Sequence, residues 1–177
     1  MNLDDAMEFA AKAHRGQVRD GEAPLPYITH PVEVLINLRY VGGIENPDMQ
    51  TAALLHDVVE ESGTTFEEIE KQFGPRVRDL VKELTREEPT SEQTAGMSKD
   101  EIWELRSGML LGEISQMSPT AQTIKLADRF SNLREAHQVK SGKKLKRYAK
   151  QSEKILEIIP KATNPGLWMA IRQLLDG

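Results

Sequence analysis

The chain has 177 residues and no cysteine, which removes a disulfide framework and thiolate metal sites together. No apolar run approaches the ~20 residues that a membrane-spanning helix needs. The opening residues, MNLDDAMEFA, lack the basic flank and apolar stretch of a secretory signal, so a soluble cytoplasmic protein is the expectation. Positive charge is not in excess: the formal net charge is -5, which sets nucleic-acid polymers and anionic membranes aside as partners. Three familiar catalytic signatures are missing. SGKK at 141–144 lacks the first glycine and the hydroxyl of a phosphate-binding loop, and neither Gly-x-Ser-x-Gly nor His-Glu-x-x-His occurs. No apolar/polar alternation reaches strand length.

What the chain does contain is helix punctuation. Asn2 precedes Asp4, Asp5 and an apolar stripe through Leu3, Ala6, Met7, Ala10 and Ala13. Residues 16–29, with two glycines and two prolines, read as a loop, and Pro31 opens a second helix. Asn46-Pro47-Asp48 starts a helix over 49–61. Thr65 with Glu68 and Ser98 with Glu101 are capping boxes, and Gly74-Pro75 separates two further helices. Residues 85–96 read as a mobile loop. A helix follows Pro119, and the last two span 144–159 and 164–175. The expectation is a single all-α domain over 1–177, a bundle of eight or nine helices.

Of the four histidines, His56 stands out, because Asp57 follows it inside the apolar run AALLHDVVEES. Burying an imidazole beside a carboxylate is costly unless both are paired or bound to a metal. His30 lies at a helix start in YITHP, and Asp128 lies within TIKLADRFSNL. His30, His56, Asp57 and Asp128 together offer two imidazoles and two carboxylates from three helices. That set suits manganese, iron, magnesium or zinc, with positions left for water or substrate. The blander alternative is a satisfied core pair at His56–Asp57, with Asp128 ion-paired to Lys125 or Arg129. His14 reads as a helix cap or a neighbour of the site, and His137 as exposed.

Five stretches in order, AAKAHRGQVRDG, PYITHP, AALLHDVVEES, FGPRVRDLVKELT and IKLADRFSNLRE, resemble the HD superfamily of metal-dependent phosphohydrolases. Within it, the chain resembles the small alarmone hydrolases and the hydrolase domain of RelA/SpoT-type proteins. The resemblance implies an HD-domain helical bundle that uses Mn2+ to remove the 3′-pyrophosphate from ppGpp or pppGpp. It assigns His30, His56, Asp57 and Asp128 as metal ligands. It also assigns Glu60 and Glu61, one turn beyond the His-Asp pair, to the attacking water. Glu61 stands where the family usually has Asp. Arg19 matches an arginine that packs on the purine, Asn132 an asparagine near the ribose and phosphates, and Tyr148 a tyrosine near the nucleotide. Asp20 replaces a family lysine. Trp103 falls where a phosphate-binding lysine is expected, with Arg106 or Lys99 as substitutes. The run Lys140, Lys143, Lys144, Lys146, Arg147 and Lys150 either meets phosphates or forms a solvated face.

The leading expectation is therefore a small-molecule nucleotide hydrolase, with no room in this length for the synthetase domain of long RelA/SpoT proteins. Two alternatives stand beside it. One is an HD hydrolase of another phosphorylated nucleotide, such as an adenine alarmone or a nicotinamide dinucleotide phosphate. The other is a non-catalytic nucleotide sensor.

Overall fold

Side-chain oxygens cap the helix starts at the places where the sequence puts them. Asn2, Asn46, Ser118 and Asn164 each accept a backbone amide of the turn that follows, and both capping boxes, Thr65–Glu68 and Ser98–Glu101, are closed in both directions. The computed structural model describes residues 2–22 and 24–177, so the loop expected at 16–29 is seen except for Ala23, which lies outside the described residues. The helices are α1 (Leu3–Ala13), α2 (Thr29–Tyr40), α3 (Pro47–Leu55), α4 (Val58–Ser62), α5 (Phe66–Phe73), α6 (Pro75–Leu84), α7 (Lys99–Gln116), α8 (Pro119–Val139), α9 (Gly142–Ile158) and α10 (Pro165–Asp176). A 3-10 turn, Lys161–Thr163, joins the last two. Among the described residues the fold is all-α; extended pairing is confined to an isolated bridge between Val18 and Pro26.

The helix read over 49–61 is two helices, α3 and α4. The His56 ring is the cause. Its Nδ1 donates to the Ala53 carbonyl at 2.8 Å, competing for the acceptor that a continuous helix would offer to the next amide. Asp57 then takes φ -103 and ψ -5, away from the φ of about -63° of a regular helix, before α4 resumes at Val58. Gly63, at φ 74, ends α4 in a conformation that suits glycine.

α8 runs through the middle. It packs on α2, α3, α6, α9 and α10, and every residue from 121 to 129 is buried. A helix covered on all sides is expected to be apolar all round. Lys125, Asp128 and Arg129 break that rule, so each needs a partner inside the protein. Around it, Leu38, Leu54, Leu55, Ile69, Ile114, Ile155 and Leu167 close one continuous apolar core.

α10 approaches the end of α2 closely. A Cβ built on Gly166 would lie 2.3 Å from the Val41 carbonyl oxygen, and one on Gly42 2.9 Å from Leu167 Cδ1. Asn164 Nδ2 donates to the Gly42 carbonyl at 2.9 Å across the same junction. Gly166→Ala is expected to lower stability by about 1–3 kcal/mol through overpacking, read as an earlier urea midpoint. A midpoint equal to that of the parent chain would refute the close approach.

Candidate functional site

Three chain segments deliver the charged groups. His30 is the second residue of α2, His56 and Asp57 sit in the break between α3 and α4, and Asp128 is in mid-α8. The break lets two consecutive residues face one point, which a continuous helix would turn about 100° apart. His56 Nε2 lies 3.1 Å from Asp57 Oδ2 and 3.7 Å from Asp128 Oδ1. His30 Nε2 lies 3.5 Å and 3.3 Å from the same two oxygens. The two rings meet edge to face at 5.2 Å between centroids.

The ligating atoms of His30, His56 and Asp128 all fall within 4.8 Å of one another, and the three side chains are buried. The Ala53 carbonyl holds His56 Nδ1, so Nε2 is the atom that points inward, and it has no hydrogen-bond partner among the described residues. Burial opposes a charge on this ring. Asp57 beside it, with Asp128, outweighs burial and holds its pKa up at about 10. Burial would raise the Asp57 carboxyl, but His56 overrides this and pulls it below the usual carboxylate range. Asp128 moves the same way, burial again opposed, with Lys125 as the largest favourable cause. Two carboxylate oxygens and two inward-facing imidazole nitrogens gathered at one point are a donor set for a divalent cation. His30, His56 and Asp128 could hold such an ion, with Asp57 in reach of both rings.

The two oxygens of Asp128 face different partners. Oδ1 faces the histidines, while Oδ2 pairs with Lys125 Nζ at 2.9 Å. Asn132, one turn on, also donates to Oδ1. Tyr27 Oη donates to Asp57 Oδ2 at 2.7 Å, and its phenol is pushed up by burial first and by Asp57 second. His14 ends α1 through its backbone amide and lays its ring against Tyr27 at 4.7 Å, so it caps and neighbours the site together.

The cluster opens into a cavity of about 320 Å³, a volume suited to a small molecule. His30, Asp57, Glu61, Asp128, Asn132 and Tyr148 line it, and Trp103, Arg106, Arg86 and Arg129 bring aromatic and cationic surface to the same walls. Arg129 lies over the Tyr148 ring at 4.5 Å and donates to Gln151, which in turn donates to Ser107.

The remaining candidates lie elsewhere or are already engaged. Glu60 does not line the cavity. Its carboxylate accepts the Arg86 amide at 2.7 Å and the Arg86 side chain at 3.0 and 2.9 Å. That contact also pins the start of the loop read as mobile over 85–96. Arg19 is not brought to this cavity. It is held between Glu135 at 2.7 Å and Glu33 at 3.0 Å, on a separate cleft. Asp20 pairs with Lys140, and Lys143 and Arg147 close on Asp100. Trp103 reaches the cavity from α7, with Arg147 stacked 5.1 Å from its ring centroid.

Sequence reading missed Tyr27, Arg86 and the site role of Lys125. Lys125 had a signal: a cation three residues before Asp128 in an apolar helix shares its face. Tyr27 had a weaker one, three residues ahead of His30. Arg86 had none, because its partner lies 26 residues away.

Comparison with known proteins places this geometry. The HD domain family model matches residues 6–168. The mouse guanosine-3′,5′-bis(diphosphate) 3′-pyrophosphohydrolase MESH1 is 33% identical over 176 residues, covering 97% of this chain and 92% of the relative. The human counterpart is 38% identical over 131 residues, 74% of this chain and 67% of that one. A guanosine-3′,5′-bis(diphosphate) 3′-pyrophosphohydrolase of Aquifex aeolicus is 33% identical across 97% of this chain, which spans 22% of that longer protein. Among solved structures, a metazoan orthologue of SpoT that hydrolyses ppGpp superposes with a TM-score of 0.83 at 29% identity, covering 98% of this chain and 93% of the other. A Listeria monocytogenes protein shares the fold, with a TM-score of 0.65. The chain belongs to the HD domain family of phosphohydrolases, in the branch of the MESH1-type guanosine-3′,5′-bis(diphosphate) 3′-pyrophosphohydrolases.

Proposed function

We propose that this chain, as a single domain over 1–177, is a manganese-dependent ppGpp 3′-pyrophosphohydrolase of the cytoplasm. One observation carries the reading: the inward-facing His30, His56, Asp57 and Asp128 cluster opens on a cavity walled by cationic and aromatic side chains. The relatives of this activity supply the substrate class. No helix among the described residues is long and apolar enough to cross a membrane.

His30, His56, Asp57 and Asp128 would hold a divalent ion, which would supply Lewis acidity at this site when bound. The protein's own groups do the rest. Water attacks the phosphorus attached to the 3′-oxygen, the 3′-O–P bond breaks, the ribose 3′-oxygen takes a proton, and pyrophosphate departs. Glu61 lines the cavity beside Asp57 and takes the proton of the attacking water. Glu60 contributes at one remove: its carboxylate holds Arg86 at the wall, where the guanidinium meets phosphate charge. Asn132 fixes Asp128 and, from the same cavity wall, meets the ribose and phosphates. Tyr148, backed by Arg129, offers a flat face to the nucleotide. A contact of Arg19 with the purine requires its release from Glu33 and Glu135.

Incubation of the purified chain with ppGpp and Mn2+ is expected to yield GDP and pyrophosphate in equal amounts, and chelation is expected to stop it. Intact ppGpp, alongside phosphate release from a different nucleotide in the same panel, would overturn the assignment.

A further inference from the structure

Beyond the four ligands, the structure assigns to Ser131 and Glu33 the positioning of the His30 ring toward the metal. The inference rests on the metal reading above.

His30 Nδ1 lies 3.2 Å from Ser131 Oγ, and Ser131 Oγ lies 2.8 Å from Glu33 Oε2. The direction of this relay is forced. Ser131 Oγ donates to Glu33 Oε2, and the same carboxylate faces Arg19 Nη1 at 3.0 Å and Arg134 Nη1 at 3.2 Å, so every neighbour of Glu33 in this relay is a donor. Ser131 therefore spends its only proton on Glu33. Its oxygen can then only accept from His30, which places a proton on Nδ1. A proton held on Nδ1 turns Nε2, the atom that faces Asp57 and Asp128, into the ring's ligating atom.

The relay is built into the helices. Glu33 is one turn beyond His30 on α2, and Ser131 is one turn beyond Asp128 on α8, so the helices that bring the ligands also bring their support. Ser131 is fully buried, so the ring can tilt only if this bond is lost. Arg19 acquires a use here. Bound by Glu135 on one side and Glu33 on the other, it anchors the outer end of the relay where the cleft opens to solvent. Partners of this kind, hydrogen-bonded to a metal-bound histidine, typically change metal affinity by about 10- to 100-fold when removed.

The test is Mn2+ uptake by the chelator-stripped full-length chain, with free Mn2+ read by electron paramagnetic resonance. Ser131→Ala and Glu33→Ala are each expected to weaken Mn2+ binding by about 10- to 100-fold while the melting temperature in EDTA stays near that of the parent. Glu33→Gln is the rescue. Its amide oxygen can still accept from Ser131 and Arg19, while the amide nitrogen turns toward the exposed Arg134, so it is expected to bind nearly as well as the parent. A loss caused by disturbed packing would not be restored by that change. Glu33 is partly exposed, which keeps the test open should Ser131→Ala disturb folding. A parent chain that takes up no Mn2+ overturns the metal reading and the relay with it. A parent that binds Mn2+ beside Ser131→Ala or Glu33→Ala chains that bind it equally well overturns the relay alone.

Discussion

Asp57→Ala is expected to retain the fold and to lose ppGpp hydrolysis by roughly a thousand-fold, the upper range for removing one preorganised electrostatic partner. The fold survives because Asp57 is partly exposed and caps α4 through its backbone carbonyl, with no capping bond from its side chain. The activity does not, because the carboxylate faces both imidazoles and its loss also releases the Tyr27 hydroxyl. Asp57→Asn separates charge from shape. The amide oxygen still accepts from Tyr27, yet the negative charge that draws a cation is gone, so this variant is expected to fail nearly as badly. Steady-state pyrophosphate release with circular dichroism as the folding control decides the matter. Near-normal turnover by Asp57→Ala would sink the proposed site.

Lys125→Met carries the largest expected effect on stability. Lys125 is 5% exposed, and its ammonium is the nearest cation to Asp128 Oδ2. Burial acts against its charge, but Asp128 wins, and its pKa is raised rather than lowered. Methionine keeps the volume and deletes the charge, which leaves a buried carboxylate short of its partner. Breaking a buried pair on one side costs roughly 3–5 kcal/mol. The histidines share Asp128, which favours the lower end. For a chain of this size, that is a fall of about 6–20 °C in melting temperature in EDTA. With Mn2+ added the fall is expected to shrink, since an ion at the ligand cluster restores the missing positive charge. Equal melting of variant and parent in EDTA would show that the pair contributes nothing.

The helical scaffold was legible because its boundaries are chemical. Asn46-Pro47, the two capping boxes and Asn164-Pro165 mark helix starts by local hydrogen bonding, which needs only a few neighbouring residues. His30, His56, Asp57 and Asp128 were legible for a different reason: polar groups in apolar helices require a purpose. What stayed hidden depends on distant partners. The break after Leu55 follows from which way the His56 ring turns, and apolar periodicity does not register that. Arg19 carries a motif match to a purine-packing arginine, yet its surroundings, Glu33 and Glu135, come from two helices far apart in sequence. Glu60 and Glu61 are adjacent and chemically alike. Only the position of Arg86 separates one that lines the cavity from one that holds a guanidinium.

The site joins α2 to α8 across a long stretch of chain: His30 and Ser131 are 101 residues apart. An ion shared by His30 and Asp128 is thus a cross-link closing a very large loop, and the entropy lost in closing a loop grows with its length. In the unfolded chain the ligands are scattered and hold an ion poorly, so an ion bound at the cluster would add to the stability of the folded chain. The supply of a divalent ion would then tune how well this protein resists unfolding as well as how fast it turns over substrate.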